Sequence, residues 1–166
     1  MFKKKNSKLN FNGEHLYFNY VSVEEICDDI IISFKQLDNN GIINQYRVVM
    51  NIVSAKLING IIADVIEEFE KIEYKIKRFP NEKFSHLNNE IKEIDYSLHY
   101  VNHITISSSP ISFILEYLFE GPDEEQKISN IIVKPELAKY IYLETQEFID
   151  KYEASYGDIN LEDYLI

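Results

Sequence analysis

The four histidines are the first side chains in this sequence that could do chemistry. His99 and His103 are four positions apart, a spacing that puts two side chains on the same face of a β-strand. A zinc site needs three or four ligands, and neither His15 nor His86 lies at a spacing that would complete one. The pattern favours two solvent-facing strand histidines, and we predict no metal site and no cofactor.

One histidine also begins a short motif, His103-Ile104-Thr105, of the kind that two-histidine phosphoesterases carry twice. In such enzymes one imidazole acts as base and the other as acid, so both copies of the motif are needed. Neither His15 nor His86 is followed by Thr or Ser two positions later. We therefore predict no catalytic residue and no enzyme, and a phosphoesterase that uses His103 is kept as an alternative.

Two Glu-x-Lys triplets, Glu73-Tyr74-Lys75 and Glu90-Ile91-Lys92, match a motif of metal-dependent nucleases. The first lies on a predicted helix, and the second would need Asp64 as a further Mg²⁺ ligand. Chance matches are expected in a chain with 28 acidic and 17 basic residues. Its net charge of -11 would also repel nucleic acid, which we do not expect as a partner.

The strongest signal is negative charge combined with tyrosine in the last third of the chain. Residues 116–166 contain 13 acidic residues and four Lys. Tyrosines anchor protein interfaces, and opposite charge speeds the encounter with a partner. We predict that a basic protein binds this region. The residues predicted to bind it are Asp123, Glu124, Glu125, Glu153, Tyr156, Asp158, Glu162, Asp163 and Tyr164.

The composition indicates an aqueous, reducing compartment. Cys27 is the single cysteine, so no disulfide can form within the chain. No apolar run approaches the ~18 residues of a membrane span. We expect a cytoplasmic protein that does not bind membranes, with a flexible basic segment at residues 1–12 and a single domain at residues 13–166.

The elements that would position these residues follow an α+β pattern. Two β-branched runs, Ile30–Leu37 and Ile42–Met50, flank Asp38-Asn39-Asn40-Gly41 and predict a β-hairpin. Apolar alternation predicts two strands within residues 91–107, and the runs at 111–119 and 128–133 also favour strands.

Two amphipathic helices are predicted, at about 64–78 and 135–155. Asp64 and Glu67 form a capping-box pattern, while Asn59-Gly60 favours a turn just before it. Pro135 suits the first turn of the second helix. This order predicts an α+β fold in which both helices pack on a mostly antiparallel sheet, and no internal repeat is detected.

The segment Glu90–Leu98 followed by Asn102–Ser107 resembles WapI-type immunity proteins of bacterial polymorphic toxin systems. It has an apolar-alternating strand, a short turn and a His-Ile strand, and it follows an amphipathic helix like Val65–Ile76. The resemblance covers about residues 46–120, and Asn102 stands where the family usually has Gly. The resemblance implies a small cytosolic α+β protein that inhibits a toxin, often a basic nuclease, and it transfers no individual residue. A phage or host interaction protein without catalysis is the remaining alternative.

Overall fold

The chain folds into two four-stranded β-sheets and two long helices, which confirms the predicted α+β class. The structure, a computed structural model, describes residues 9–10, 12–13, 16–77, 97–123 and 125–164. The strands are β1 Leu9–Asn10, β2 Asn12–Gly13, β3 Leu16–Tyr17, β4 Tyr20–Ile26, β5 Asp29–Asp38, β6 Gly41–Asn51, β7 Leu98–Tyr100, β8 His103–Ser109, β9 Ser112–Glu120 and β10 Glu125–Val133. The helices are α1 Ile52–Ile72, α2 Pro135–Tyr156 and a short 3-10 helix at Leu161–Asp163.

The first sheet has the strand order β4-β5-β6-β7. β4, β5 and β6 form an antiparallel meander, and β7 lies parallel to β6. The predicted hairpin is confirmed as β5 and β6, with Ile32 opposite Val48 and Gly41 at a φ of 125° after the turn. The part of the predicted strand region at residues 91–96 lies outside the described residues.

The second sheet has the order β3-β10-β9-β8. β8, β9 and β10 form an antiparallel meander, and β3 lies parallel to β10. The strands predicted at 111–119 and 128–133 are confirmed as β9 and the end of β10. On β9, Phe113, Leu115 and Tyr117 alternate towards the core, as the period of a strand requires.

Each sheet takes its fourth strand from the other half of the chain. β3 precedes β4 in sequence but pairs with β10, and β7 precedes β8 but pairs with β6. The chain crosses between the sheets just after these strands, where the Phe18 amide donates to the Ile132 carbonyl and the Val101 amide donates to the Val49 carbonyl, both at 3.0 Å. The two halves of the chain are therefore interlocked.

Helix α1 begins twelve residues before the predicted start at Asp64 and ends at Ile72, before the predicted end at about residue 78, so both predicted boundaries are wrong. Asn51 caps the helix, because its Oδ1 accepts a hydrogen bond of 2.8 Å from the Ser54 amide. Gly60 lies inside the helix and faces solvent, so it costs helix propensity without disturbing packing. Helix α2 spans Pro135–Tyr156 and confirms the second predicted helix.

The two helices are antiparallel, and each packs on the sheet of the other half. α1 contacts β8, and α2 contacts β4. At the centre of the core, the rings of Phe34 and Tyr117 lie 6.0 Å apart. Burial raises the pKa of the Tyr117 hydroxyl, which therefore stays neutral. One continuous hydrophobic cluster includes residues from both sheets and both helices.

The two halves of the molecule share one element order, so the expectation of no internal repeat is wrong. β4-β5-β6-α1 in the first half corresponds to β8-β9-β10-α2 in the second. Equivalent contacts recur 83 positions apart: Asn19 bonds both backbone groups of Leu37, and Asn102 bonds both backbone groups of Glu120. Sequence inspection misses the repeat because most equivalent positions hold different residues.

Candidate partner-binding surface

Most of the predicted binding residues lie at the C-terminal end of α2 and in the segment after it, residues 156–164, which we call the α2 end. Tyr156 is 74% exposed and Tyr164 is 59% exposed. The acidic side chains of Asp158, Glu162 and Asp163 are also exposed. The structure thus brings five of the predicted residues together on one short segment.

A buried side chain and two backbone hydrogen bonds fix this segment to the helices. Ile159 is only 9% exposed and joins the hydrophobic core. Its amide donates to Glu153 Oε2 at 2.7 Å, and its carbonyl accepts from Lys56 Nζ at 2.7 Å. Lys56 and Glu153 also form an ion pair of 2.6 Å between the two helices. We call Lys56, Glu153 and Ile159 the α2 clamp.

The carboxylate of Glu153, one of the predicted binding residues, already accepts hydrogen bonds from two groups of the protein itself. The hydrogen bond from Lys56 is the main reason that its pKa lies below the usual value, and the Ile159 amide lowers it further. Its side chain is 16% exposed. Because this carboxylate satisfies two donors within the fold, we assign it to holding the α2 end and leave it out of the binding surface.

The 3-10 helix gives the rest of the α2 end a defined backbone. Asn160 caps it, since its Oδ1 accepts from the Glu162 amide at 3.0 Å and its carbonyl accepts from the Asp163 amide at 3.1 Å. The Tyr164 amide then donates to the Leu161 carbonyl at 3.0 Å. The exposed acids and Tyr164 are consequently presented by ordered backbone.

The other predicted acidic cluster is separate from the α2 end in the chain. Asp123 is exposed in the connection between β9 and β10. Glu124 lies outside the described residues, and the side chain of Glu125, the first residue of β10, is not described either. The role of Asp123, Glu124 and Glu125 in binding stays a prediction.

Sequence reasoning missed a second acidic segment, the turn between β4 and β5. Glu24 and Glu25 lie near the end of β4, Asp28 lies in the turn and Asp29 begins β5; Glu24 and Asp28 are exposed. In the other half of the molecule, the equivalent β8–β9 turn reaches the end of α1, where the Tyr74 hydroxyl donates to the Pro110 carbonyl at 3.2 Å. Since α2 packs on β4 in the same way, we infer that the acidic turn lies beside the α2 end. Only the repeat could have signalled this.

The opposite end of the helix pair, which we call the α1 end, comprises residues 73–77 after α1. A clamp of the same design, Lys139, Glu70 and Ile76, holds it: Lys139 Nζ lies 2.9 Å from Glu70 Oε2 and donates to the Ile76 carbonyl at 3.2 Å. Burial opposes ionisation of Glu70, but the Ile76 amide and Lys139 outweigh it and lower the pKa of this carboxyl. A surface groove of about 370 Å³ runs past this clamp.

The phosphoesterase alternative needs a second His-x-Thr/Ser motif, and none lies among the described residues. His103 is half-buried, and its Nδ1 has no hydrogen-bond partner among the described residues. His99 stacks on Tyr46 with ring centroids 4.6 Å apart, so it belongs to a structural contact. His15 and His86 lie outside the described residues.

The nuclease and metal patterns find no geometric support in the described part of the chain. Asp64 lies in the middle of α1, and Glu73-Tyr74-Lys75 follows the end of that helix. The second triplet, Glu90-Ile91-Lys92, lies outside the described residues. Across residues 16–77, 97–123 and 125–164, no group of three or more His, Cys, Asp or Glu side chains is arranged to hold a metal ion. Neither described helix is long and apolar enough to cross a membrane.

Comparison with known proteins gives one family. A family model described as "Protein of unknown function (DUF3467)" matches residues 73–161, which is more than half of the chain. The matched region includes β7 to β10, α2 and the α2 end up to residue 161, so it contains Asp158 but not Glu162 or Asp163. No curated protein matches the chain significantly.

Proposed function

We propose that this chain, which belongs to the DUF3467 family of proteins of unknown function, binds and neutralises a basic protein partner through the α2 end. One observation carries the proposal. An ordered segment of the chain, anchored by buried Ile159, presents two exposed tyrosines and three exposed carboxylates without an intervening cation. Such a surface combines the aromatic anchors and the charge that tight protein interfaces use.

The mechanism is stoichiometric inhibition. The exposed carboxylates of Asp158, Glu162 and Asp163 would steer a basic partner towards the α2 end and would pair with cations that otherwise contact phosphate. Tyr156 and Tyr164 would then be desolvated against the partner and would slow its release. The protein contributes a preformed surface, so little ordering is needed on binding.

The resemblance to WapI-type immunity proteins supports one kind of partner, a bacterial toxin with a basic surface. An immunity protein acts in the cell that makes the toxin. A cytoplasmic location fits this role, and the single exposed cysteine, Cys27, is compatible with a reducing compartment. The net charge of -11 argues against a role that depends on unspecific nucleic-acid binding.

The test is co-purification from cells of the native organism with tagged wild-type protein and two triple variants. The first variant, Asp158→Lys/Glu162→Lys/Asp163→Lys, reverses the charge of the α2 end. The matched control, Asp64→Lys/Glu67→Lys/Glu68→Lys, makes the same change in net charge on the exposed face of α1. We expect one basic protein to be retained at a one-to-one ratio by the wild type and the control, and lost by the first variant.

Salt and activity sharpen this test. Retention should weaken as salt rises, because long-range attraction between charges is screened. If the captured protein is toxic when expressed alone, co-expression of the wild type should restore growth, and the α2-end variant should not. Capture that is equal for both triple variants would contradict the proposal, as would the recovery of no basic partner.

A further inference from the structure

The family model matches only the second half of the chain, but the first half has the same architecture. We infer that residues 16–77 are a second, divergent copy of the family unit. This unit has a self-complementary interface, through which it binds another copy of the same unit. In this chain the two copies are fused, and each copy binds the other through this interface. This inference stands independently of the proposed function.

The strand registers repeat between the copies, except around one bulge, which lies at Gln36/Leu37 in the first copy and at Lys127/Ser129 in the second. β4 at Tyr20–Ile26 becomes β8 at His103–Ser109, a shift of 83 positions. The exchanged strands obey the same shift: Leu16 lies opposite Ile131, and the equivalent His99 lies opposite Val48. A constant shift across both sheets is expected for a duplicated unit and not for two unrelated domains.

Side-chain contacts at the crossovers repeat as well. The side-chain Nδ2 of Asn19 donates to the Leu37 carbonyl at 3.0 Å, and its Oδ1 accepts from the Leu37 backbone amide at 2.8 Å. Asn102 makes the same two bonds to Glu120, at 2.9 and 2.8 Å. Both asparagines directly follow the residue at which the chain passes from one sheet to the other, so they fix the exchange in both copies.

The two clamps are also equivalent, and each joins both copies. Lys56 and Lys139 are equivalent, and each reaches a glutamate at the far end of the other copy's helix. In each clamp one carboxylate oxygen also accepts from an isoleucine amide, at 2.7 Å for Ile159 and 2.8 Å for Ile76. All three members of each clamp are identical in type between the copies.

Contacts near the molecular centre show that the copies are related by a two-fold axis. A residue can touch its own equivalent only close to such an axis. Phe34 is equivalent to Tyr117, and their ring centroids are 6.0 Å apart. Asn59 is equivalent to Tyr142, and the Asn59 amide donates to the Tyr142 carbonyl at 3.1 Å. The arrangement is that of a two-fold dimer made from one chain.

Identities between the copies include the residues of both clamps and the asparagines at both crossovers. The described pairs that hold the same residue are Tyr17 and Tyr100, Asn19 and Asn102, Ile31 and Ile114, Ala55 and Ala138, Lys56 and Lys139, Ile58 and Ile141, Ile66 and Ile149, Glu70 and Glu153, and Ile76 and Ile159. Both asparagines and both complete clamps are in this set. The clamps, which join the copies, are therefore unchanged between them, and so are the asparagines that follow the crossovers.

A cut between the copies tests the inference on the full chain. A protease recognition sequence is inserted after Asn81 in one variant and after Asn88 in a second, and each folded protein is cleaved. We expect the fragments to co-elute as a one-to-one complex. Unfolding by urea should remain a single transition, but its midpoint should now rise with protein concentration, because association and folding are linked.

Variants of the cleaved protein show whether the clamps hold the copies together. Lys56→Met or Lys139→Met should each weaken the association of the fragments about tenfold or more, because each removes a charged hydrogen bond between the copies. The matched control is Lys71→Met, since Lys71 pairs at 3.8 Å with Glu67 of its own helix. This control should leave the association unchanged.

Three results would overturn the inference. Fragments that separate on a sizing column while each stays folded would show that the halves are independent domains. An unfolding midpoint that does not depend on concentration after cleavage would show the same. If neither uncut insertion variant folds, the connection itself holds the fold together, which the pairing of two complete copies does not allow.

Discussion

The α1 end and the α2 end are built by equivalent contacts but present different surfaces. At each end, a lysine of one copy binds a glutamate and an isoleucine carbonyl of the other. Residues 73–77 at the α1 end hold one Glu and two Lys, whereas the equivalent residues 156–160 hold one Asp and no cation.

The neighbouring turns differ in the same direction. The turn beside the α1 end contains Pro110 and Ile111, which is 79% exposed, where the equivalent turn has Cys27 and Asp28. The comparison separates two kinds of residue. Those common to both ends hold the fold, and those that differ give the α2 end its acidic character.

The largest expected effect on stability is that of a substitution at the centre of the core, where the two copies meet. Phe34→Ala should lower the free energy of unfolding by about 3–5 kcal/mol, because Phe34 is fully buried and packs on Tyr117 of the other copy. Urea unfolding followed by circular dichroism measures this. Tyr117→Phe is the control and should change stability by less than about 1 kcal/mol, because its hydroxyl has no partner among the described residues. A loss below about 1 kcal/mol for Phe34→Ala would show that the two copies do not depend on this contact.

The clamps should contribute equally at the two ends. Lys56→Met and Lys139→Met should each destabilise the uncut protein by roughly 1.5–3 kcal/mol, because each leaves a largely buried carboxylate without its cation. Lys71→Met, at an exposed pair, should cost less than about 0.5 kcal/mol. Measured values that differ widely between the two clamps would break the equivalence of the ends.

Acid should act on both clamps together. The carboxyls of Glu70 and Glu153 have pKa values below their ordinary value of 4.5, so they stabilise the folded state fully above that pH. This contribution is lost as pH falls through the lowered pKa of each folded carboxyl, because the proton then binds the unfolded state more tightly. Glu70→Gln/Glu153→Gln should therefore flatten the decline in urea midpoint below pH 4.5. A decline as steep as that of the wild type would assign the acid sensitivity to other carboxyls.

The smallest expected effect is that of Gly60→Ala, a substitution that makes the first helix more like the second. Gly60 has open space where a Cβ would stand, and its equivalent in α2 is the exposed Leu143. Gly60→Ala should raise the free energy of unfolding by about 1 kcal/mol or somewhat less, since alanine restricts the unfolded chain and favours the helix. Leu143→Gly should lower it by a similar amount. A destabilising Gly60→Ala would show that the helix needs the glycine.

Much of the fold follows from local sequence patterns. The hairpin of β5 and β6 is predictable because Asp38-Asn39-Asn40-Gly41 separates two β-branched runs. Helix α2 is predictable because Pro135 opens it and Gly157 ends it at a φ of 96°. The start of α1 is missed because Gly60 imitates a turn, although the cap by Asn51 and the buried Ile52, Ala55 and Ile58 continue the helical spacing upstream.

The exchange of strands could not be predicted, because it depends on pairing between distant residues: β6 and β7 pair at 51 positions apart, and β3 and β10 at 115. β3 is two residues long and has no pattern of its own, and its partner β10 is reached only in the folded molecule. The candidate site was predictable in part, since Tyr156 and Tyr164 are exposed as expected. The structural role of Glu153 was not predictable, because nothing in the local sequence distinguishes a carboxylate held in an internal ion pair from a solvated one.

The strand exchange also sets an order of events during synthesis on the ribosome. β6 needs β7 along its edge, and β4 needs α2 over its face, yet both partners are translated later. At 5–20 residues per second, α2 is complete roughly 4–17 seconds after α1. During that interval the nascent first copy exposes an unpaired strand edge and apolar side chains. Translation speed through residues 73–156 should therefore affect how much protein escapes aggregation or capture by chaperones.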